Sequence, residues 1–142
     1  MKATPYAYLL IRQFEGLRLA AYRCPSGIWT IGYGHTTGVH QGDTITQSQA
    51  DIYLEQDVKS VETYLNRLQL NISQNQFDAL TSFIFNIGPS AFTSSTMLRL
   101  IKSNPDNPEI AKQFSRWVHS NGHALPGLQR RREEESKLYF MK

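Results

Sequence analysis

One cysteine, Cys24, is all the chain has, which excludes an internal disulfide and any multi-cysteine metal site and leaves packing to carry the fold. No stretch approaches the ~20 apolar residues that a membrane-spanning helix requires. Near the N-terminus there is only a short apolar patch, Ala7 to Ile11, preceded by Pro5 and closed by Arg12, too broken for the apolar region of a secretion signal. His40, His119 and His123 form no ligand spacing with one another, which speaks against zinc. Low-complexity tracts, internal repeats and linker-like segments are also missing, so neither disorder nor a string of domains is expected. Charge is nearly balanced, with 15 Lys and Arg against 12 Asp and Glu, a net charge of +3. That surplus suits an anionic polymer but is too small to choose among such polymers, nucleic acid included.

What the chain does have is 40% hydrophobic residues, among them seven Phe, seven Tyr and two Trp, enough for one substantial core in 142 residues. Thr4 followed by Pro5 predicts an N-cap with proline at the first helical position. Tyr6, Leu9, Leu10, Phe14 and Leu17 recur at helical spacing, so a first helix is expected over Pro5 to Phe14, with Glu15 in its last turn and Gly16 ending it. From Leu19 to Val39 aromatic and β-branched residues are punctuated by glycines. Strands are expected near Ala21 to Arg23 and Trp29 to Gly34, with Ser26-Gly27 at the hairpin tip. Thr46 and Gln49 form a capping-box pattern, and Ile52, Val58, Val61, Leu65 and Leu68 then mark the apolar stripe of a long helix.

Ser73 to Ile87, carrying Phe77, Leu80, Phe83 and Ile84, predicts a buried central helix stopped by Gly88-Pro89. Further helices are expected within Ser94 to Lys102 and Pro108 to His119, followed by a turn-rich stretch from Ser120 to Gly127 and a last helix to Phe140. The sum is a single α+β domain over residues 1–142. Its small antiparallel sheet lobe covers about residues 15–45, a bridging helix about 46–68, and a helical lobe about 69–142 together with the helix at 5–14; a cleft is expected between the lobes.

The segment from Phe14 to Thr36, FEGLRLAAYRCPSGIWTIGYGHT, carries the chemistry. It resembles the catalytic region of the phage-type lysozymes, glycoside hydrolase family 24, in which a glutamate, an aspartate or cysteine, and a threonine are separated by eight and then five residues. Glu15, Cys24 and Thr30 reproduce both gaps. Looser matches continue through EQDV at Glu55 to Val58, SFIFNIG at Ser82 to Gly88, FTSST at Phe92 to Thr96, SRW at Ser115 to Trp117 and GLQRRREEE at Gly127 to Glu135. The resemblance implies a lysozyme-like fold and a muramidase that cuts the β-1,4 bond between N-acetylmuramic acid and N-acetylglucosamine. It further implies a phage or prophage endolysin acting on bacterial peptidoglycan rather than on nucleic acid, with no metal and no cofactor.

Physical chemistry gives these three side chains their roles. Cleaving a glycosidic bond needs a proton for the leaving oxygen and, on the other sugar face, a group that activates water or attacks carbon. Glu15, at a helix end among apolar neighbours, is the candidate acid, where an isolated glutamate would read as a solvated helix terminus. Cys24 and Thr30, on neighbouring strands, are the candidate partners for water. A thiol is a poor base unless its pKa is lowered, while its thiolate is a good nucleophile, so inversion through water stands first and a covalent intermediate second. A small buried cysteine and an ordinary strand threonine are the plain alternatives.

By the same resemblance His35 pairs with Asp57 as a structural link between the sheet lobe and the bridging helix. Asn86, Ser95 and Thr96 resemble the family's substrate-contacting polar set, although residues of these types also cap helices. Tyr33, with Tyr22 and Trp29, could offer a sugar-stacking face, but strand alternation sends about half of such rings to the core. Arg130, Arg131 and Arg132 precede Glu133, Glu134 and Glu135 and read as a largely solvated, self-paired helix face, with one arginine able to turn towards Glu15. The absence of an export signal predicts a monomer that waits in the host cytoplasm until a holin or comparable pore opens, then works in the periplasm and cell wall. Two other classes stay open: a wall-binding protein with reduced turnover, for which Cys24 would be the sign, and a lytic transglycosylase.

Overall fold

The computed structural model describes residues 1–120 and 122–142. Several of its helices begin where a side chain supplies the acceptor that a first helical turn lacks. Thr4 Oγ1 accepts from the Tyr6 N–H at 3.3 Å and Pro5 opens α1 (Pro5–Glu15). Gly16 ends it at φ 71°, a conformation glycine adopts without strain. Thr46 and Gln49 form the expected capping box, the Gln49 N–H to Thr46 Oγ1 at 3.2 Å and the Thr46 N–H to Gln49 Oε1 at 3.1 Å, at the start of α2 (Gln47–Arg67). Ser73 and Gln76 make a second box for α3 (Gln74–Ile87) that sequence reading did not anticipate.

Between α1 and α2 lies a small antiparallel sheet of β1 (Arg18–Arg23) and β2 (Trp29–Gly32), with Tyr22 opposite Thr30 and Arg23 opposite Trp29. The turn closes through the Gly27 N–H to Cys24 O at 2.8 Å, which puts Ser26-Gly27 at the tip as expected. The returning chain braces β1, the Ala21 N–H donating to Asp43 O and the Ile45 N–H to Leu19 O, both at 2.9 Å. β2 is shorter than expected. Gly32 and Gly34, at φ 66° and 78°, turn the chain so that Ile31 and His35 exchange both backbone hydrogen bonds at 2.9 Å.

The helical part is built around α3, in which every residue from Gln76 to Ile84 is buried. Phe83 meets Phe114, Trp117 and Phe92 edge-on, with ring centroids 5.1, 6.0 and 6.1 Å away. Short helices α4 (Pro89–Thr93), α5 (Thr96–Ser103) and α6 (Glu109–Ser115) wrap this core, and α7 (Pro126–Tyr139) packs along α3. The helix expected within Pro108 to His119 is α6, which ends at Ser115. His119–Ser120 and His123–Ala124 instead pair as β3 and β4 within the stretch expected to be turns, of which Asn121 lies outside the described residues.

Two apolar clusters result. The larger contains Leu10, Val61, Leu65, Phe77, Leu80, Phe83, Ile84, Phe92 and Phe114, and the smaller, under the sheet, contains Ile11, Tyr33, Ala50, Leu54 and Val58. α2 serves both, through a stripe of Ala50, Leu54, Val58, Val61 and Leu65. Ile52, expected on that stripe, is 53% exposed, because the buried face starts at the small Ala50 and steps by four. Among the described residues no helix is long and apolar enough to cross a membrane.

The start of α1 is fastened to α3. Asp78, 1% exposed, accepts from the Thr4 N–H at 3.0 Å, from the Thr4 hydroxyl and from Gln74 Nε2 at 3.0 Å. Asp78→Ala should therefore destabilise the protein by about 2 kcal/mol, since it strips two donors on Thr4 of their shared acceptor. Urea unfolding at constant m-value measures this, and a loss under ~0.5 kcal/mol would show that water replaces the contact.

Candidate active site

Glu15 ends α1, and its side chain is 18% exposed. One oxygen, Oε2, lies 2.5 Å from Arg131 Nη1, and the other, Oε1, is turned to Gly34. A Cβ on Gly34 would stand 2.6 Å from Oε1, so the carboxyl rests against bare backbone at a residue whose φ of 78° also favours glycine. The tight turn after β2 thus creates the room that Glu15 occupies.

Cys24 follows β1 directly and is partly exposed at the hairpin turn. Its Sγ lies 2.8 Å from Ser26 Oγ. The Ser26 hydroxyl above all, then the backbone at Ile28 and Ser26 and the Thr30 hydroxyl, lower the thiol from 9.0 to about 7, outweighing a modest burial that raises it. Thr30, 4% exposed on β2, donates its hydroxyl to Ile28 O at 3.0 Å. Tyr22, opposite Thr30, borders the other two groups. Burial raises its phenol, and the charges of Glu15 and Cys24 raise it further, while Arg18, 4.7 Å from the ring centroid, lowers it. A carboxyl, a thiol and a hydroxyl therefore surround one tyrosine.

His35 Nδ1 lies 2.8 Å from Asp57 Oδ2, and its ring stacks on Tyr53 at 4.2 Å and 14°. This joins the turn after β2 to α2. Tyr33 corrects the expectation of a sugar-stacking face. Its ring is packed in the smaller core and its hydroxyl accepts from Gln47 Nε2 at 3.1 Å, because the turn at Gly32 and Gly34 directs it inward against α2. Ser95 caps α5, accepting from the Leu98 N–H at 3.1 Å and donating to Phe92 O at 2.7 Å, and Thr96 accepts from Arg99 Nη2 at 3.3 Å. Those hydroxyls serve the helix locally. Asn86 is exposed near the end of α3.

In the triple-arginine stretch Arg131 is the arginine that turns to Glu15, and only the expectation of a largely solvated face is corrected. Arg131 and Arg132 are each 2% exposed and Glu135 is fully buried. Arg131 uses each nitrogen on a different partner: Nη1 on Glu15, Nη2 on Ser82 O at 3.0 Å, and Nε on Glu135 Oε2 at 3.2 Å. Glu135 Oε2 also accepts from Ser82 Oγ at 2.6 Å and from Arg132 Nη2 at 3.3 Å. Arg132 Nε lies 2.7 Å from Glu135 Oε1 in a bent approach short of a hydrogen bond, and its guanidinium lies 4.9 Å from the Phe83 centroid. Burial pushes the Glu135 carboxyl up and the Arg132 guanidinium down, and their mutual attraction opposes both shifts. The signal was present in the sequence. Leu128, Arg131, Arg132, Glu135, Leu138 and Tyr139 recur at helical spacing, so the ionic residues share a stripe with apolar ones.

The larger of two concavities away from this site, about 690 Å³, lies at the other end of α3 and α7, between Ser73, Gln76, Asp106 and Tyr139. It touches none of Glu15, Cys24 and Thr30. The second, about 170 Å³, lies between the turn after β2 and α2, beside His35 and Tyr53.

The chain belongs to the phage lysozyme family, which it matches over residues 12–135. It is 43% identical over 136 residues to an endolysin of Acyrthosiphon pisum secondary endosymbiont phage 1, an alignment covering 92% of each chain. Among solved structures it is similar to the muramidase domain of SpmX from Asticaccaulis excentricus, with 38% identity, 99% of each chain covered and a TM-score of 0.89. A single-site mutant of P22 lysozyme is similar at 35% identity, with 99% of each chain covered and a TM-score of 0.79.

The thiol should titrate with a midpoint of about 7, read from thiolate absorbance or from the rate of alkylation against pH. Ser26→Ala removes the principal donor, so the midpoint should climb towards 9.0. A midpoint unchanged in that variant would mean that the backbone alone holds the thiolate.

Proposed function

We propose that this protein is a muramidase that hydrolyses the β-1,4 bond between N-acetylmuramic acid and N-acetylglucosamine in peptidoglycan, with Glu15 as general acid and Cys24 and Thr30 activating water. The observation that carries this reading is a carboxyl fixed by a buried guanidinium and a thiol lowered to about 7, the charges of both acting on Tyr22. The relatives named as endolysins and as a muramidase support the substrate class.

In the reaction the glycosidic C–O bond breaks as the leaving oxygen takes the proton of Glu15, delivered from Oε1 because Oε2 is occupied by Arg131. Water attacks the anomeric carbon from the opposite face and its proton passes to the Cys24 thiolate, which near neutral pH is about half populated. The Thr30 hydroxyl, within hydrogen-bonding reach of both Ile28 O and the thiol, orients that water. Inversion at the anomeric carbon follows.

His35 and Asp57 hold the sheet against α2 and take no part in proton transfer. Asn86 is the candidate sugar contact on α3. Ser95 and Thr96 reach substrate only by exchanging their present partners. In biological terms the protein is read as a phage or prophage endolysin, a monomer of one lysozyme-like domain. It waits in the host cytoplasm until a holin opens a path to the wall.

Glu15→Gln should reduce turnover of purified peptidoglycan by at least ~10³-fold while unfolding stays cooperative, and retained activity would end the acid assignment. Cys24→Asp should stay active, since it places a true base at the same position. Mass spectrometry of the digest separates the classes of activity. Hydrolysis adds water, transglycosylation leaves an anhydro sugar, and a binding protein leaves the polymer whole. Proton NMR of fresh product should show the inverted anomer, and the retained anomer would instead point to a covalent cysteine intermediate.

A further inference from the structure

The part of the site that the reaction does not use directly is the buried carboxylate behind it. Glu135 touches none of the reacting groups. It sits on the far side of the Arg131 guanidinium from Glu15, so one cation is shared by two carboxylates, Glu15 on Nη1 at 2.5 Å and Glu135 on Nε at 3.2 Å. Whatever fraction of that cation Glu135 engages is withheld from Glu15. Two further groups hold Glu135: Ser82 Oγ at 2.6 Å and Arg132 at 2.7 and 3.3 Å.

We propose that Glu135 is a positioning residue for the reaction, which sets how readily Glu15 keeps its proton by competing for Arg131, with Ser82 and Arg132 adjusting the competition. This rests on the reading of Glu15 as proton donor. The chemistry gives a reason for such a device. A general acid clamped by an undivided guanidinium is held as carboxylate and has no proton to give, whereas a neutral Glu15 with no guanidinium loses its orientation. Dividing the cation between two anions keeps the orientation and weakens the bias. Glu135 is fully buried and fixed on α7 one turn from Arg131, so water does not screen its charge.

Other groups around Glu15 cannot supply this adjustment. Tyr22 on β1 and Arg132 on α7 both feel the Glu15 charge, Cys24 acts on Tyr22, and Arg12 on its own helix lies over Tyr8 and Tyr33. α3 contributes the uncharged Ser82, and the turn after β2 contributes Gly34, which has no side chain. Glu135 is the buried anion that touches the same guanidinium as Glu15.

The test is the pH titration of the Glu15 side-chain ¹³Cδ resonance in the free protein, assigned by its loss in Glu15→Gln. In Glu135→Gln the neutral amide returns the whole cation to Glu15, so the midpoint should fall by about 0.5 pH or more, a threefold change in proton affinity. In Ser82→Ala, Glu135 loses a donor and leans harder on Arg131, so the Glu15 midpoint should move the opposite way. If Glu135→Gln does not fold, Ser82→Ala carries the test alone. The limb of the kcat/KM profile that follows Glu15 should shift with the NMR midpoint while the limb set by Cys24 stays in place.

A Glu15 midpoint unmoved in the folded variants, with activity lost only in proportion to stability, would overturn the proposal and leave Glu135 as structural. The resonance titrates without substrate. Wild-type protein that leaves peptidoglycan intact would therefore sink the functional reading without touching the charge competition.

Discussion

A single buried guanidinium holds the site together. Arg131 reaches from α7 to the end of α1 and to the middle of α3, so three helices meet on one planar group. Burying a cation costs several kcal/mol unless anions and dipoles replace its hydration. Here two arginines, Arg131 and Arg132, face two acidic side chains, Glu15 and Glu135, so each buried guanidinium has an acidic partner. Apolar residues of similar volume would fill the same space at comparable stability. The ionic solution is informative because it delivers a fixed direction and a fixed charge to one carboxyl at the edge of the core.

The other half of the site is held by different means. Cys24 and Thr30 sit on a two-stranded hairpin whose tip is exposed, and the thiol is set by local hydrogen bonds from the turn rather than by a buried charge. This half gains its fixed place from two attachments. His35 bonds to Asp57 on α2, and Tyr33 packs into the smaller core below. One half of the candidate site is governed by buried charge and the other by hydrogen bonds near the surface, so the carboxyl and the thiol are set by separate means.

Much of this was legible in the residues alone. The helix starts at Thr4 and Thr46, the hairpin tip at Ser26-Gly27 and the apolar run of α3 follow from local rules, because caps, turns and periodicity act over a few residues. The spacing of Glu15, Cys24 and Thr30 marked the site. What escaped was non-local. Arg131 and Glu135 looked like solvated partners because their pairing at four residues is the pattern of an exposed helix face; their burial depends on α3, far away in sequence. Tyr33 turned inward for the same reason, since Gly32 and Gly34 end the strand and α2 supplies the wall behind it. Gly34 shows its second use only when the carboxyl is seen against it.

The wiring of α1 carries a consequence for biogenesis. This helix precedes the residues that secure its ends, Asp78 and Arg131, while the hairpin that follows it directly can close on its own neighbours. Contacts spanning 74 and 116 positions close slowly, because a long loop must be ordered before it is rewarded. A nascent chain on the ribosome would carry Glu15 on an unanchored segment until Arg131 had emerged, so the carboxyl gains its fixed place in one late event rather than gradually with length.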